Sequence, residues 1–337
     1  MSVPSSASVR FGIIGTGGMG SAHAREIAAR DDARVVAACD INDVAIERFL
    51  ERVPALKGDD LTRFTDVAAL AGAGICDAVV IATPHTQHDE HIRRCLDAGL
   101  HVLCEKPMAT TAAGARASME AAERNGKVLA IAYQRHGTPL YRRAHDVVQN
   151  GEIGDIRLVT VLIAQDCLDV FRDPSRTWRA DPALSGGGHF MDTGSHINDM
   201  MLYVSGLAPE QVFAQMDNYG TLVDVVTALS IRFTNGACGT FAATSLSHEN
   251  WREEFSFYGS EGVLNIRDGH MTLHKKGQDT RILLGSGRES RPVANFIQAI
   301  RGEVPEPQAG PIYGLRVAQI SEAAYKSSRS GQPERVG

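Results

Sequence analysis

Asp192 and His196 stand four residues apart in a stretch running from Trp178 and Arg179 through Gly186, Gly187 and Gly188 to Asp199. The apolar residues Met191, Ile197, Met200, Met201, Leu202 and Val204 predict a helix after Gly188, which would stack the acid and the imidazole on one face, a turn apart. A carboxylate beside an imidazole raises its basicity and fixes its orientation, as a general base working near neutral pH requires. Lys106 is the third candidate. It follows a strand-like run and precedes Pro107, so its amine would stand at the carboxyl edge of a central strand, where ligands bind in open α/β sheets. Taken alone, a lysine before a proline reads first as an ordinary surface residue.

Gly15, Gly17 and Gly20 have the spacing G-x-G-x-x-G, directly after a strand-like run and at the start of a helical one. A dinucleotide pyrophosphate needs that context: the first glycine makes a tight turn, the second lets backbone approach the anion, and the third permits close helix packing. Backbone N–H groups at the helix start then meet the negative charge. Asp40, about 20 residues past the motif, is placed to accept hydrogen bonds from the ribose hydroxyls, although an acid at a strand end can also simply cap the next turn. Its charge would repel a 2′-phosphate, and Ile41, Asn42 and Asp43 supply no arginine, so NAD is expected in preference to NADP. The expected cofactor contacts here are Gly15, Thr16, Gly17, Gly18, Met19, Gly20, Asp40 and Ile41.

Elements must hold these groups in place. The first 133 residues alternate short β-branched runs with amphipathic or alanine-rich stretches, the pattern of βα units around a parallel sheet. Strands are expected at 9–15, 34–40, 78–83, 101–105 and 128–133, with a weaker one near Arg63, and helices at 18–30, 43–53, 87–98 and 110–125. Val79, Val80 and Ile81 do not alternate with polar residues, as expected of a strand covered on both faces. After residue 133 come a helical piece at 141–149 and longer, more polar strands at 155–165, 223–233, 237–247, 253–259 and 262–267, with hairpin turns at 234–237 and 259–262. The expected fold class is α/β, with a Rossmann dinucleotide-binding domain at 1–133. A C-terminal α+β domain with a large, mostly antiparallel open sheet follows at 134–337. The final helix, at 313–328, is a candidate to pack back on the first domain.

The 34 basic and 40 acidic residues give a net charge of −6 with no basic block, so nucleic acid is not an expected partner. The first ten residues lack the charged start and apolar run of a secretory signal, and no stretch is long enough to cross a bilayer. A cytoplasmic address and no membrane partner are expected. Cys39, Cys76, Cys95, Cys104, Cys167 and Cys238 contain no Cys-x-x-Cys pattern and read as small buried hydrophobes in a reducing compartment. Metal binding competes for His85, His88 and His91, and for His189, Asp192 and His196. Neither set completes a familiar zinc spacing, so no metal is expected.

With its motifs in this order along nearly the whole length, the chain resembles the Gfo/Idh/MocA family (glucose-fructose oxidoreductase, inositol dehydrogenase, rhizopine catabolism protein). The glycine motif, Ala82, Thr83 and Pro84 with His88, the run Glu105, Lys106, Pro107, and the three glycines before Asp192 and His196 carry the resemblance. It implies that Lys106, Asp192 and His196 face the nicotinamide. It also implies that Thr83, Pro84, His88, Glu105, Lys106 and Gln134 touch the cofactor, and that the outer face of the C-terminal sheet forms homodimers or homotetramers. Tyr133, Gln134, Arg135 and His136 depart from the family's frequent Arg-Arg pair, which leaves the substrate contacts there open.

The reaction implied is NAD(P)-dependent hydride transfer between the nicotinamide and a secondary alcohol or ketone of a sugar or cyclitol. His196 takes the hydroxyl proton, Lys106 donates a hydrogen bond to the oxygen, and Asp192 orients the substrate; which of Lys106 and His196 is the terminal base stays open. Arg135, Asp166, Trp178, Arg179 and His248 join Lys106, Asp192 and His196 as candidate contacts for a polyhydroxylated ring. A redox-assisted lyase or hydrolase with tightly bound NAD would use the same three residues. A non-catalytic dinucleotide sensor would need none of them.

Overall fold

A computed structural model describes residues 8–57 and 61–337; residues 1–7, on which the reading of the N-terminus partly rests, lie outside them. The chain divides into two compact units. One comprises Met1–Ala109, Ala113–Gln134 and Ser290–Gly314, and the other Thr110–Ala112, Arg135–Glu289 and Leu315–Gly337.

The first unit is built on β1 (Val9–Ile14), β2 (Ala33–Cys39), β3 (Thr62–Phe64), β4 (Ala78–Ile81), β5 (His101–Cys104) and β6 (Leu129–Ile131). They pair in the order β3-β2-β1-β4-β5-β6, every pair parallel. The crossovers contain α1 (Gly18–Ala28), α2 (Asp43–Arg52), α3 (Val67–Gly72), α4 (His88–Asp97) and α5 (Ala112–Asn125). This is the Rossmann order, which reverses direction between β1 and β4 and so opens a crevice at the carboxyl ends of those strands. Every residue of β4 and β5 is buried, as their unbroken apolar runs require.

His101 opens β5 and has a structural task. Its Nδ1 accepts the Val128 N–H at 3.0 Å, which only an unprotonated nitrogen can do. Burial, reinforced by the charge of Lys127, lowers its pKa from 6.5 to about 4. The unfolded chain therefore takes up this proton well before the folded one. The contribution of His101 to stability is complete above pH 6.5 and is lost as the pH falls from 6.5 to about 4. His101→Gln is expected to flatten the decline in unfolding free energy across that window, by up to about 3 kcal/mol at its acid end. Urea titrations at several pH values measure this, and an unchanged slope would contradict the assignment.

In the second unit, β7 (Ile156–Asp166), β8 (Pro209–Asp217), β9 (Val226–Phe233), β10 (Cys238–Thr244), β11 (Leu246–Gly259), β12 (Gly262–Arg267), β13 (His270–Lys275), β14 (Arg281–Leu283) and β15 (Glu334–Arg335) form one sheet. Its order is β14-β13-β12-β11-β7-β10-β9-β8-β15. The expected hairpins join β9 to β10 and β11 to β12. The sheet is mostly antiparallel, with β7 and β10 running parallel. Its helices are α6 (Pro139–Gln149), the short α7 (Asp169–Arg172) and α8 (Pro182–Ser185), and α9 (His189–Ser205). Phe190, Ile197, Met200 and Met201 of α9 share a core with Val159 and Ile163 of β7, Phe241 of β10, and Phe255 and Phe257 of β11.

Two helices follow, α10 (Pro292–Arg301) and α11 (Pro311–Ser330). Ser290–Gly314, which holds α10 and the first residues of α11, belongs to the first unit, so a single boundary after residue 133 is not enough, and Leu315–Gly337, with the rest of α11, belongs to the second. Val293, Phe296, Ile297 and Ile300 recur at helical spacing and enter the core around β1 and β2, where the Phe296 ring lies 6.2 Å from that of Phe11. Burying each such side chain is worth about 1.5–3 kcal/mol. Ile320, Ala323 and Ala324 of α11 belong to the core of the second unit. Among the described residues, no helix is long and apolar enough to cross a membrane.

Candidate active site

The glycine turn after β1 is shaped partly by the protein and partly by open space. Gly15 has φ +86°, and a Cβ there would fall 2.5 Å from the Ala82 carbonyl oxygen; a Cβ on Gly20 would fall 2.0 Å from the Gly15 carbonyl oxygen. A Cβ on Gly17 or Gly18 would meet nothing within 4 Å. The protein's own packing thus demands the first and last glycines of the motif, while the middle leaves room for an approaching ligand. Gly17 precedes α1 with no side-chain cap, and α1 has no acid in its first turn. By contrast, Asn42 and Asp66 cap α2 and α3, accepting from Val44 N and Ala69 N at 2.9 and 2.8 Å. The first N–H groups of α1 have no partner within the helix, so the start of α1 suits a pyrophosphate.

Asp40, just after β2, caps the turn that follows it. Its Oδ2 accepts from Thr16 N and Thr16 Oγ1, both at 2.9 Å, and its Oδ1 accepts from Asn42 N at 3.2 Å. It clamps the turn, and a carboxylate with about four acceptor sites keeps capacity for a ribose hydroxyl. Met19 and Ile41 are exposed, Ile41 by 90%.

The segments after β4 and β5 are braced from within. His88 is buried, with Nδ1 2.7 Å from the Pro107 carbonyl oxygen and Nε2 2.8 Å from that of Thr83. Both ring nitrogens face carbonyl oxygens, and the neutral ring donates to one of them. Burial holds its pKa below the usual value despite the two carbonyl contacts. His88 therefore supports Thr83 and the Lys106–Pro107 turn from behind. Glu105 is also buried. Its Oε1 lies 2.8 Å from His23 Nε2, and its Oε2 accepts from Lys106 N at 3.3 Å. Burial pushes this carboxyl up, but the His23 hydrogen bond and the charges of His23 and Lys106 outweigh it and hold Glu105 low. His23, three residues past Gly20, was not among the expected residues, because nothing local marks its partner. Thr83, Pro84 and Lys106 are half-buried, and Gln134 is exposed after β6.

In the second unit, α9 is buried along its length except at Asp192, Thr193, His196 and Tyr203. Asp192, Thr193 and His196 form one polar strip. Thr193 was missed, although its place between two expected residues on a helix puts it on their side. Asp192 Oδ2 accepts from Arg179 Nε at 2.8 Å, and the Arg179 guanidinium sits 4.4 Å above the Trp178 ring. Three expected residues are thereby joined. Gln165, not Asp166, reaches α9, with its Oε1 2.8 Å from His189 Nε2. Asp166 and His248 are exposed. Arg135 pairs with a buried acid: its Nη2 lies 2.5 Å from Glu253 Oε2, and the Tyr141 hydroxyl donates to Glu253 Oε1. No group of three or more His, Cys, Asp or Glu able to hold a metal occurs among the described residues.

Residues 9–133 match the family model of the Gfo/Idh/MocA oxidoreductases with an NAD-binding Rossmann fold, and residues 141–265 match the Gfo/Idh/MocA C-terminal domain. The chain belongs to the Gfo/Idh/MocA family of oxidoreductases. Among curated relatives, it is 27% identical to D-glucoside 3-dehydrogenase of Escherichia coli over 356 residues, 98% of each chain. It is 27% identical to myo-inositol 2-dehydrogenase of Thermotoga maritima over 278 residues, 79% of this chain and 78% of that one. Among solved structures, levoglucosan dehydrogenase in complex with NADH and L-sorbose superposes with a TM-score of 0.85 at 23% identity, covering 98% of this chain and 99% of that one.

Proposed function

We propose that the protein is an NAD-linked dehydrogenase interconverting a secondary alcohol and a ketone on a sugar or cyclitol. The observation that carries this reading is the strip of Asp192, Thr193 and His196 on an otherwise buried helix. A carboxylate and imidazole at this spacing on one helix face are the general-base arrangement that alcohol oxidation requires. When bound, NAD supplies the two-electron acceptor for the carbinol carbon. The glycine turn and the start of α1 would hold its pyrophosphate, and Asp40 its adenosine ribose. His196 takes the hydroxyl proton, and Lys106 donates a hydrogen bond to the oxygen as negative charge gathers there. Asp192, held by Arg179, orients the hydroxyl groups, while Trp178 offers an apolar face to the ring. The activities named for the relatives, on D-glucosides and myo-inositol, support a polyhydroxylated ring as substrate.

A panel of sugars and inositols, assayed by the near-ultraviolet absorbance of reduced cofactor, tests the reading. Accumulation of NADH with at least one of them is expected, with a lower KM for NAD than for NADP because Asp40 repels a 2′-phosphate. Substrate consumption without accumulating NADH would favour the redox-assisted lyase instead, and a lower KM for NADP would overturn the cofactor preference. The reading extends to a cytoplasmic homodimer or homotetramer through the second unit's sheet. The six free cysteines support the compartment, and exposed Trp251 and Tyr258 on β11 with Ile282 on β14 support the interface. A monomer by light scattering would remove the oligomer.

A further inference from the structure

The polar strip of α9 is anchored by a residue that no local pattern marks. Asp224 lies between β8 and β9 and is buried, with 4% exposure. Its Oδ1 accepts from Gly188 N at 2.7 Å, its backbone oxygen from His189 N at 2.8 Å, and its Oδ2 from Phe190 N at 2.9 Å. Three consecutive amides that open α9 thus end on one residue. The Tyr325 hydroxyl of α11 donates to Asp224 Oδ1 at 2.5 Å, and Thr227 Oγ1 stands 3.4 Å from Oδ2.

The glycines before the helix are fitted to this pair. A Cβ on Gly187 would fall 2.1 Å from the Tyr325 hydroxyl, and one on Gly188 would fall 1.9 Å from the Asp224 carbonyl oxygen. Gly188 occupies the cap position and has no side chain to satisfy the first amides, so Asp224 performs from a distant loop the task that a local Ser or Asp performs elsewhere. Its negative charge also suits the positive end of the helix. Burial, reinforced by Asp224, raises the Tyr325 phenol well above its usual value, so it remains a donor throughout the working range. Asp192 N in turn accepts its place from this turn, donating to the Gly188 oxygen at 2.9 Å.

We infer that Asp224 and Tyr325 are positioning residues for the reaction, fixing the first turn of α9 and with it the directions of Asp192 and His196. The kinetic part of this inference rests on the dehydrogenase reading. Tyr325→Phe keeps the ring and removes the hydroxyl, and with it the bond to Asp224 and the contacts to the Gly188 and Met191 backbone; Asp224→Asn keeps the size and removes the charge and one acceptor. Both are expected to lower kcat, on the order of 10- to 100-fold for displaced reacting groups, with Asp224→Asn the more severe. The Kd for NADH, set by the glycine turn of the first unit, should stay unchanged. A role confined to stability would lower Tm and leave kcat intact well below Tm.

A second measurement does not need a substrate. In Tyr325→Phe the amides of Gly188, His189 and Phe190 should exchange with solvent faster than in the wild type, and the titration of the His196 ring, followed by NMR, should shift. Wild-type kcat together with an unshifted His196 titration would overturn the inference. Should no substrate turn over, the function reading fails and the His196 titration still decides this one. Should neither variant fold, exchange in the wild type decides: protection of the three amides as strong as that of the core strands supports the anchor, and rapid exchange overturns it.

Discussion

His196→Ala and Lys106→Ala should each lower kcat for alcohol oxidation by about 10²–10⁴-fold, the usual range for loss of a proton-transferring group. The expectation is sharp because neither substitution should unfold the protein. His196 is half-buried at the surface of α9, while the core side of that helix is formed by Phe190, Ile197, Met200 and Met201. Lys106 is half-buried, and the turn it belongs to is braced through the Pro107 carbonyl by His88 and through its own amide by Glu105. Tm should therefore move little, and NADH should still bind. Asp192→Asn should fall between these variants and the wild type, because the amide keeps one oxygen for Arg179 but loses the charge that pairs with it. Steady-state kinetics with the best substrate of the panel measure all three. Wild-type turnover in either His196→Ala or Lys106→Ala would refute the scheme.

The second large effect separates two glycines of one motif. Gly20→Ala places a Cβ 2.0 Å from the Gly15 carbonyl oxygen, a backbone atom that can yield only if α1 shifts. A destabilisation of about 3 kcal/mol is expected, together with loss of cofactor binding. Gly17→Ala should behave in the opposite way. Its φ of −67° suits any residue, and its Cβ would meet nothing within 4 Å. The change should cost about 0.5–1 kcal/mol, because alanine caps a helix less well than glycine. Yet the methyl would stand where the pyrophosphate approaches. Losing one charge-assisted hydrogen bond should raise the Kd for NADH roughly 10- to 100-fold. Thermal unfolding and NADH fluorescence titration check both variants, and wild-type affinity in Gly17→Ala would show that the dinucleotide lies elsewhere.

These contrasts also indicate which parts of the molecule the linear chain encodes openly. The glycine turn, Asp40, and the spacing of Asp192 and His196 were readable because each depends on neighbours within a turn of helix or a strand end. The runs of β4 and β5 were readable for the same reason, since burial on both faces leaves an unbroken apolar signature. The pairing of Arg135 with Glu253 is not legible locally, because Glu253 lies far along the chain in β11 and no local pattern announces a buried ion pair. Nor does any local pattern show that the ring of His88 lies between two carbonyls from separate loops. Strands β8 and β13 are hard to read because alternation is brief there: Val212 and Ala214 in one, Met271 and Leu273 in the other, are the only buried positions. The parallel pairing of β7 with β10 is a product of sheet assembly and leaves no trace in either strand.

The re-entry of Ser290–Gly314 bears on how the protein is made. Phe11, Val35 and Phe49 share their core with Phe296 and Ile297, so a ribosome that has released the first 134 residues has not yet delivered every wall of that compartment. The nucleotide-binding half can reach its final packing only when synthesis is almost over, after the nine-stranded sheet has largely emerged. Severing the gene after the sixth strand would give a fragment with an open apolar flank, prone to clump rather than to bind.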